Sequence, residues 1–485
     1  MRSLDIDADR SPRQRRPFCD SPYSSLSLAR EARRRPLELF VELCRDGGDV
    51  VRFQVGRRTV LMVNAAEHVK HILQDNCANY HKSQFYEPLR PILGDGIFTA
   101  EGDAWLRQRR TGVQAMQGMQ LRKMGREMTD AIGDMLTRWS HLSRSGAAFD
   151  IAPEMMRLTL DILLRSLFSI RLEDQHDSIR EALTVALQHA ERRIWSVLPP
   201  PSWLPTPGNM AQRRAIAVLD AFVDRIIEDR RACPGRGGDF LATLLRSDFG
   251  IADESRQRKL LRDEILSMIL AGHETTANAL CWTWHLLSRH PQVERELREE
   301  VADVLEGRVP TIEDVAKLPR LRMAFQESMR LYPPVWTISR VACADDVLGT
   351  VPVPRGTTVM LCTYAVHHRE DYWPNPEGFD PTRFTSGAEA ARPRFAYFPF
   401  SAGPRNCLGR HFAMIEAALA IAMVMQRFRL DLVPGHPVVP EPMITLRPRH
   451  GLRMRIREAH IDECRVSKRP DRADVGSADR IVMTG

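Results

Sequence analysis

Apolar residues recur along most of this chain with the spacing of helices. From about residue 105 to 330 they return every three to four positions, which predicts a run of amphipathic helices. The stretch 198–209 interrupts the run, because its prolines exclude a helix. Further helices are predicted over 65–76 and 408–428.

Shorter patterns precede and follow this helical run. Residues 36–48 predict a short helix that ends at a glycine pair, and residues 50–64 alternate about Gly56, as a β-hairpin does. Short strands are predicted near 358–366. We therefore expect a mainly α protein with a minor β region. Because no linker-like change in composition divides the middle, one large domain is expected.

The two ends of the chain differ from this middle. The 485 residues are 43% hydrophobic and 27% charged, which argues against general disorder. The net charge is +7, and much of the excess lies near the N-terminus. We interpret 1–25 as a basic, flexible arm, 26–458 as the folded domain and 459–485 as a polar tail. A solvated arm is a commoner explanation than contact with nucleic acid or an anionic membrane.

Several classes of protein are disfavoured by the sequence. The nine cysteines are odd in number and lack C-x-x-C spacing, which argues against disulfides and zinc. Zinc-finger spacing and interleaved basic and aromatic residues are also absent, so no nucleic-acid partner is expected. The longest apolar run, 417–425, is half of the roughly 18 residues that a spanning helix needs. No transmembrane anchor or signal peptide is expected, and the protein is predicted to be cytoplasmic.

The long apolar helix predicted over 258–290 carries polar residues at its centre. Gly272 inside a helix costs about 1 kcal/mol relative to alanine, and a buried Glu274 is expensive unless paired or protonated. The Thr275 hydroxyl has a carbonyl four residues earlier, that of Ala271, to which it can donate. These costs indicate a local opening beside a ligand, where an acid and a hydroxyl hold water. A polar stripe facing solvent is the alternative.

A charged pair lies at the end of a later helix. Glu327 and Arg330 are three residues apart and share a helical face. Such a pair, when exposed, contributes only about 0.2–0.5 kcal/mol, so its spacing alone indicates a solvated salt bridge. A further arginine, Arg383, follows in a loop.

One cysteine stands in an unusual loop, "FPFSAGPRNCLGRHFA" at 398–413. Gly403 and Gly409 are expected to allow close backbone approach and positive φ. The helix start after Cys407 favours a thiolate, and Arg405 provides a cation for a nearby anionic group. A single thiolate suits neither zinc nor an iron–sulfur cluster, but it suits haem with one axial cysteine. Without C-x-x-C-H, the haem would be bound non-covalently.

These motifs together resemble the cytochrome P450 superfamily. The cysteine-loop pattern F-x-x-G-x-R-x-C-x-G is met at Phe400, Gly403, Arg405, Cys407 and Gly409. The acid–threonine motif is met at 271–276 and E-x-x-R at 327–330. The arginine loop is met at Arg383, and an early W-x-x-x-R is met at Trp105 to Arg109. All five motifs follow the family's order over about residues 35–455. The resemblance implies a mainly α, P450-like catalytic domain with haem between the central helix and the cysteine loop.

The resemblance also implies a role for each matching residue. The cofactor would be haem b, with Cys407 as its axial thiolate and metal ligand. Other cofactor-binding residues would be Trp105, Arg109, Arg340, Phe400, Arg405 and Gly409. Catalytic residues guiding protons and water to dioxygen would be Glu274 and Thr275. A structural network would contain Glu327, Arg330 and Arg383. The substrate pocket would contain Ile269, Ala271, Val335, Ile338, Met443 and Ile444.

A monooxygenase reaction is the function that this resemblance implies. One atom of O2 would enter a lipophilic substrate, such as a terpenoid, fatty-acyl or polyketide-like compound. Electrons would come from a separate donor, a ferredoxin or flavodoxin with its reductase, and the enzyme would be a monomer. The donor's dock is expected at basic residues on the cysteine side. These residues are Arg107, Arg110, Arg122, Lys123 and Arg410.

Two other functions and one membrane contact stay open at this stage. The first is a haem-thiolate peroxygenase, isomerase or dehydratase, against which the intact Glu274–Thr275 pair argues. The second is a non-catalytic haem-binding protein. Residues 193–209 fall where the family has a mobile lid. Weak membrane association through their apolar residues is the alternative to lid packing. Those residues are Trp195, Leu198, Trp203 and Leu204.

Overall fold

Helices dominate the computed structural model, as the apolar periodicity predicts. It describes residues 18–55, 58–117, 121–171, 176–194, 196, 199–232, 238–247 and 249–459. Gly56 of the predicted hairpin, most of the basic arm and nearly all of the tail lie outside these residues. The α-helices are α1 Ser25–Arg34, α2 Pro36–Gly47, α3 Ala66–Lys70, α4 Arg90–Leu93, α5 Gly102–Gln117, α6 Leu121–Ser145, α7 Ile151–Phe168, α8 His176–Ile194, α9 Pro207–Ala232, α10 Phe240–Arg246, α11 Glu254–Arg289, α12 Pro291–Leu305, α13 Ile312–Val315, α14 Pro319–Leu331, α15 Thr363–His367, α16 Ser386–Ala391 and α17 Arg410–Arg427.

The strands form a minor β region in several small sheets. They are β1 Cys19–Asp20, β2 Val50–Val55, β3 Arg58–Val63, β4 Tyr80–Lys82, β5 Phe149–Asp150, β6 Ile338–Ala342, β7 Asp346–Leu348, β8 Val351–Val353, β9 Thr358–Leu361, β10 Phe428–Leu432, β11 Pro440–Pro442, β12 Leu446–Pro448 and β13 Arg453–Glu458. The largest sheet has the order β1-β2-β3-β9-β6-β4. The predicted hairpin is its antiparallel β2–β3 pair, and the mainly α fold class is confirmed.

The helix α11 crosses the molecule through its main apolar core. Asp253 caps its first turn by accepting from the N–H groups of Ser255 and Arg256. At its centre α11 packs closely against α7. A Cβ added to Gly272 would overlap the Leu163 side chain, which explains the mid-helix glycine by packing. The predicted local opening is not observed, because α11 continues unbroken through this point.

Three local predictions differ from the structure. The strand predicted over 358–366 ends at Leu361, and α15 occupies the following residues. α9 begins at Pro207, inside the proline-rich stretch, because proline is compatible with the first helical position. The strands β10 to β13 after α17 were not predicted. The strand β13 pairs with distant residues, such as Met454 with Phe149, which a local pattern does not reveal, whereas β11 and β12 pair with each other.

Small non-α turns support the region around the cysteine loop. A π-helix at His71–Asp75 follows α3, and a 3-10 turn at Gly403–Arg405 lies against it. Helix α17 starts directly after the cysteine loop, with Gly409 at its N-cap position. The loop is therefore held between a rigid turn on one side and the first turn of a buried helix on the other.

Candidate active site

The cysteine loop is closed by its own backbone. The Cys407 N–H donates to the Phe400 carbonyl at 2.9 Å. Gly403 has a φ of +66°, and a Cβ there would overlap the Leu73 carbonyl, so both reasons for glycine apply. The expectation of a positive φ and a close backbone approach is wrong for Gly409. Its φ is −87°, and an added Cβ would have no neighbour within 4 Å.

The Cys407 side chain is open to solvent on one side and has protein on most others. Its side chain has exposed surface, but its position inside the fold desolvates the thiol and raises its pKa. Three features oppose this rise and favour the thiolate: a hydrogen bond from the Gly409 N–H and the charges of Arg109 and Arg410. Burial outweighs them. A cationic metal at the sulfur would reverse that balance.

The early W-x-x-x-R motif meets the cysteine loop through α5. Arg109 donates from Nη1 to the Asn406 carbonyl at 2.9 Å and from Nη2 to the Asn406 side chain. Burial lowers the pKa of Arg109, and the nearby Cys407 opposes this. Trp105 is buried, and the Arg405 guanidinium carbon lies 4.3 Å from its ring centroid.

A cluster of basic side chains, which we call the cation cluster, lies beside Trp105; Arg340 is buried, and Lys82 and Arg405 are half-buried. Arg405 pairs with Glu101, and its Nη1 is buried without a hydrogen-bond partner. Lys82 and Arg340 face each other across the β4–β6 pair. Lys82 Nζ donates to the Ala100 carbonyl at 2.6 Å. Burial, and then the charge of Arg405, lower the pKa of Lys82 to about 7.

Sequence reasoning missed two residues at this cation cluster, one basic and one acidic. Lys82 and Glu101 belong to none of the five motifs. A signal for Glu101 was its position one helical turn before Trp105. Lys82 N–H also donates to Glu101 at 2.8 Å, so this one carboxylate serves both β4 and the cysteine loop.

The cation cluster fits the carboxylates of a haem. Lys82, Arg340 and Arg405 lie close enough to interact electrostatically, Glu101 pairs with Arg405, and one Arg405 N–H lacks an acceptor. A surplus of desolvated positive charge favours an anion from outside the chain. Haem would bring two propionates to these cations and an iron to the Cys407 thiolate. The residues present therefore match both ends of this cofactor.

The E-x-x-R pair and the loop arginine form a second buried ionic network. Arg330 donates from Nε and Nη2 to the two Glu327 oxygens at 2.7 and 2.8 Å. Both side chains have 0% exposure, so the solvated pair indicated by their spacing is wrong. Arg383 Nε lies 3.3 Å from Glu327 Oε1, and Arg330 also donates to the His367 carbonyl at 2.9 Å.

Glu274 and Thr275, the acid and the hydroxyl of α11, interact with different groups. Thr275 Oγ1 donates to the Ala271 carbonyl at 2.7 Å, as its sequence position indicates. Burial raises the pKa of Glu274, while a hydrogen bond from Thr445 and the charge of Arg447 oppose the rise. The Glu274 side chain lines a cavity between α7, α8, α11 and the β11–β12 connection.

Only part of the predicted substrate pocket lines this cavity. Met443 and Ile444 do so, together with residues that the sequence did not single out: Met156, Arg180, Leu183, Thr184, Leu187, Gln188, Glu191, His273 and Arg447. Ile269 and Ile338 are buried in apolar clusters. Ala271 and Val335 are half-buried and do not line this cavity.

The residues of the predicted dock and those of the predicted lid are exposed to different extents. All five basic residues of the proposed dock are exposed: Arg107, Arg110, Arg122, Lys123 and Arg410. In the lid stretch Trp203 is 73% exposed and Leu204 39%, whereas Trp195 and Leu198 lie outside the described residues. Among the described helices, none combines the length and apolar character needed to cross a membrane.

Comparison with known proteins agrees with this geometry. The sequence model of the family described as Cytochrome P450 matches residues 23–453. A Mycobacterium tuberculosis protein named as cytochrome P450 132 is 35% identical over 422 residues, 84% of this chain and 89% of the relative. Cyclooctat-9-en-7-ol 5-monooxygenase of Streptomyces melanosporofaciens is 33% identical, covering 83% and 86%.

A solved structure gives the same result for the fold. The haem domain of cytochrome P450DA superimposes with a TM-score of 0.77 at 26% identity, covering 90% of this chain and 94% of that one. The family match, the relatives and the solved structure each cover more than four fifths of the chain. The chain therefore belongs to the cytochrome P450 family and is a haem-dependent monooxygenase.

Proposed function

We propose that Cys407 is the axial thiolate of a non-covalent haem b and that the cation cluster receives its propionates. The observation that carries this proposal is the pairing of a loop-held thiol with a group of basic side chains, Lys82, Arg340 and Arg405, in which one Arg405 N–H lacks an acceptor. Bound there, haem supplies the iron at which dioxygen is reduced. Residues 26–458 form the catalytic domain in this proposal, which the family match over 23–453 supports.

The other residues of the site then have distinct roles. Glu274 holds a proton at its carboxyl group, and Thr275, Ala271 and the neighbouring turn of α11 form the wall beside it. Arg109 fixes the cysteine loop through Asn406. The network of Glu327, Arg330 and Arg383 supports the fold behind that loop.

The substrate is a neutral lipophile in this proposal. Met443 and Ile444 give the cavity an apolar side. Its two arginines already have carboxylate partners: Arg180 lies 3.3 Å from Asp177, and Arg447 Nε donates to Glu441 at 3.0 Å. Neither provides a free clamp for an acid. One relative is named as a monooxygenase of an alcohol, which agrees with this class.

The reduced carbon-monoxide difference spectrum tests the thiolate. We expect the Soret band at the thiolate position in the parent and its loss from that position in Cys407→His. A parent band at the position typical of a histidine ligand would overturn the proposal. Substrate class is then tested by the spin-state shift with matched pairs of a neutral alcohol and its carboxylic acid. Tighter binding of the acids would contradict a neutral lipophile.

Electrons come from a separate acidic donor, a ferredoxin or flavodoxin, in this proposal. The exposed basic residues on the cysteine side provide a surface that attracts such a partner. We expect charge reversal at Arg122 and Lys123 to slow ferredoxin-supported turnover most at low ionic strength. Arg225, on α9, provides a matched control. Unchanged turnover across ionic strength would contradict this dock, and turnover with H2O2 but not with O2 and a reductase would indicate a peroxygenase.

A further inference from the structure

Three side chains on one face of α11 contact the short connection that leads into β12. Glu274, Asn278 and Trp282 are each four residues apart and therefore lie above one another on the helix. Trp282 Nε1 donates to the Leu446 carbonyl at 2.9 Å, and Asn278 Nδ2 donates to Thr445 Oγ1 at 3.0 Å. Glu274 completes the row beside the same threonine.

The opposite side of this connection is also fixed. We call residues 443–446 the clamped segment. Trp336 Nε1 donates to the Met443 carbonyl at 2.7 Å, and the Leu446 N–H donates to the Pro334 carbonyl at 2.9 Å. The backbone that carries Thr445 is therefore held from both sides, so its hydroxyl has a defined position relative to α11.

The hydrogen-bonding groups of Asn278 and Thr445 determine which of the two is the donor. A hydroxyl has one proton, and the amide nitrogen of Asn278 is only a donor, so Thr445 Oγ1 accepts from it. The Thr445 proton is left for a different acceptor, and Glu274, one turn before Asn278 on the same face of α11, is the acidic group beside it. Asn278 and Thr445 are 1% and 4% exposed, so water does not compete for these bonds.

Charged groups from three elements also face the cavity beside Glu274. They are Arg447 from β12, Arg180 and Glu191 from α8, and His273 from α11 itself. Arg447 also donates to Glu441 at 3.0 Å, so it stabilises the Glu274 carboxylate less than an otherwise unpaired arginine would. Thr445 is the neutral hydroxyl beside this carboxylate, and its effect does not depend on an ion pair.

We propose that Thr445, oriented by Asn278, is a positioning residue that fixes the Glu274 carboxylate and controls how readily it releases its proton. The inference rests on the proposed role of Glu274. When the hydroxyl is removed, the charged carboxylate loses a hydrogen bond at a buried position. Glu274 then keeps its proton to a higher pH.

Infrared difference titration of the haem-loaded full chain, reduced and bound to carbon monoxide, tests this without turnover. The carbonyl stretch of the Glu274 acid is assigned by its loss in Glu274→Gln. We expect Thr445→Val to raise the titration midpoint by about one pH unit, the shift for one lost hydrogen bond to a charged form. Asn278→Leu should raise it less, and Thr445→Ser, which keeps the hydroxyl, should restore the parent midpoint.

Thr283→Val is the matched control. Thr283 is another buried threonine of α11, but it donates to the Ala279 carbonyl at 2.8 Å, two turns beyond Glu274. Its replacement should leave the midpoint unchanged. Equal midpoints for Thr445→Val and Thr283→Val, or failure of Thr445→Ser to restore the parent value, would overturn the inference.

The carbon-monoxide spectrum of the same samples separates this inference from the proposed function. A thiolate-type Soret band with an unshifted midpoint would remove the positioning role of Thr445 alone. A different Soret position in the parent would contradict the haem-thiolate site, whereas the Glu274 titration would still be readable.

Discussion

Two ionic clusters, one around Glu327 and one around Arg405, differ in how completely their central arginine is hydrogen-bonded. Around Glu327 the carboxylate receives two bonds from Arg330, a nearby Arg383 guanidinium and the Asp380 N–H at 3.0 Å. Every nitrogen of the Arg330 guanidinium has an acceptor, whereas Arg405 Nη1 in the cation cluster has none. A fully hydrogen-bonded guanidinium stabilises the fold, whereas one with an unused N–H is suited to bind an anion.

Glu327→Ala gives the largest effect expected from this comparison. It leaves the Arg330 and Arg383 cations in a fully buried site, so we expect a loss of about 3–5 kcal/mol in the free energy of unfolding. Urea unfolding measures it. The control is Glu313→Ala, which removes an exposed partner of Arg122 and should cost about 0–1 kcal/mol. Similar losses in both variants would mean that the buried network stabilises the fold no more than an exposed ion pair does.

Arg405→Met should affect cofactor retention more than folding. The Arg405 guanidinium already lacks one acceptor, so its removal costs the haem-free chain less than Glu327→Ala does. A charge-assisted bond contributes about 1.5–3 kcal/mol, so we expect roughly ten- to hundredfold faster loss of haem to a scavenger protein. Arg107→Met, at an exposed position on α5, is the control. Unchanged haem loss in Arg405→Met would contradict a propionate role for the cluster.

The smallest expected effect concerns pH and Lys82. Its pKa falls from the ordinary 10.5 to about 7 in the folded chain, so the unfolded chain binds more protons between these values. The free energy of unfolding of the haem-free chain should therefore rise with pH across this window. Lys82→Met should reduce that rise, as urea unfolding at pH 7 and about 9.5 would measure. Equal pH dependence in both proteins would show that Lys82 is not desolvated.

Local sequence rules predicted interactions whose partners are close along the chain. The Thr275 bond to Ala271 follows from helical spacing and is present. Spacing also placed Glu327 and Arg330 together, but it carries no information on burial, so the pair by itself was misread as solvated. The motifs, taken in order, were needed to predict the family correctly.

Interactions between distant segments were beyond local rules. Arg405 meets Glu101 across about 300 residues, a pairing that the fold alone creates. The glycine at 272 was attributed to a ligand, but its reason is Leu163 on another helix. Gly409 matches the family pattern, yet its φ is ordinary, so the pattern did not disclose why glycine stands there.

The clamped segment has a consequence for how this enzyme can change its specificity. Met443 and Ile444 extend into the cavity from a backbone that two tryptophans and a backbone hydrogen bond immobilise. Under the proposed function, exchange of either side chain alters the volume and shape offered to a substrate without moving the acid on α11. Directed mutagenesis could then vary selectivity here while Glu274 and Thr275 are kept.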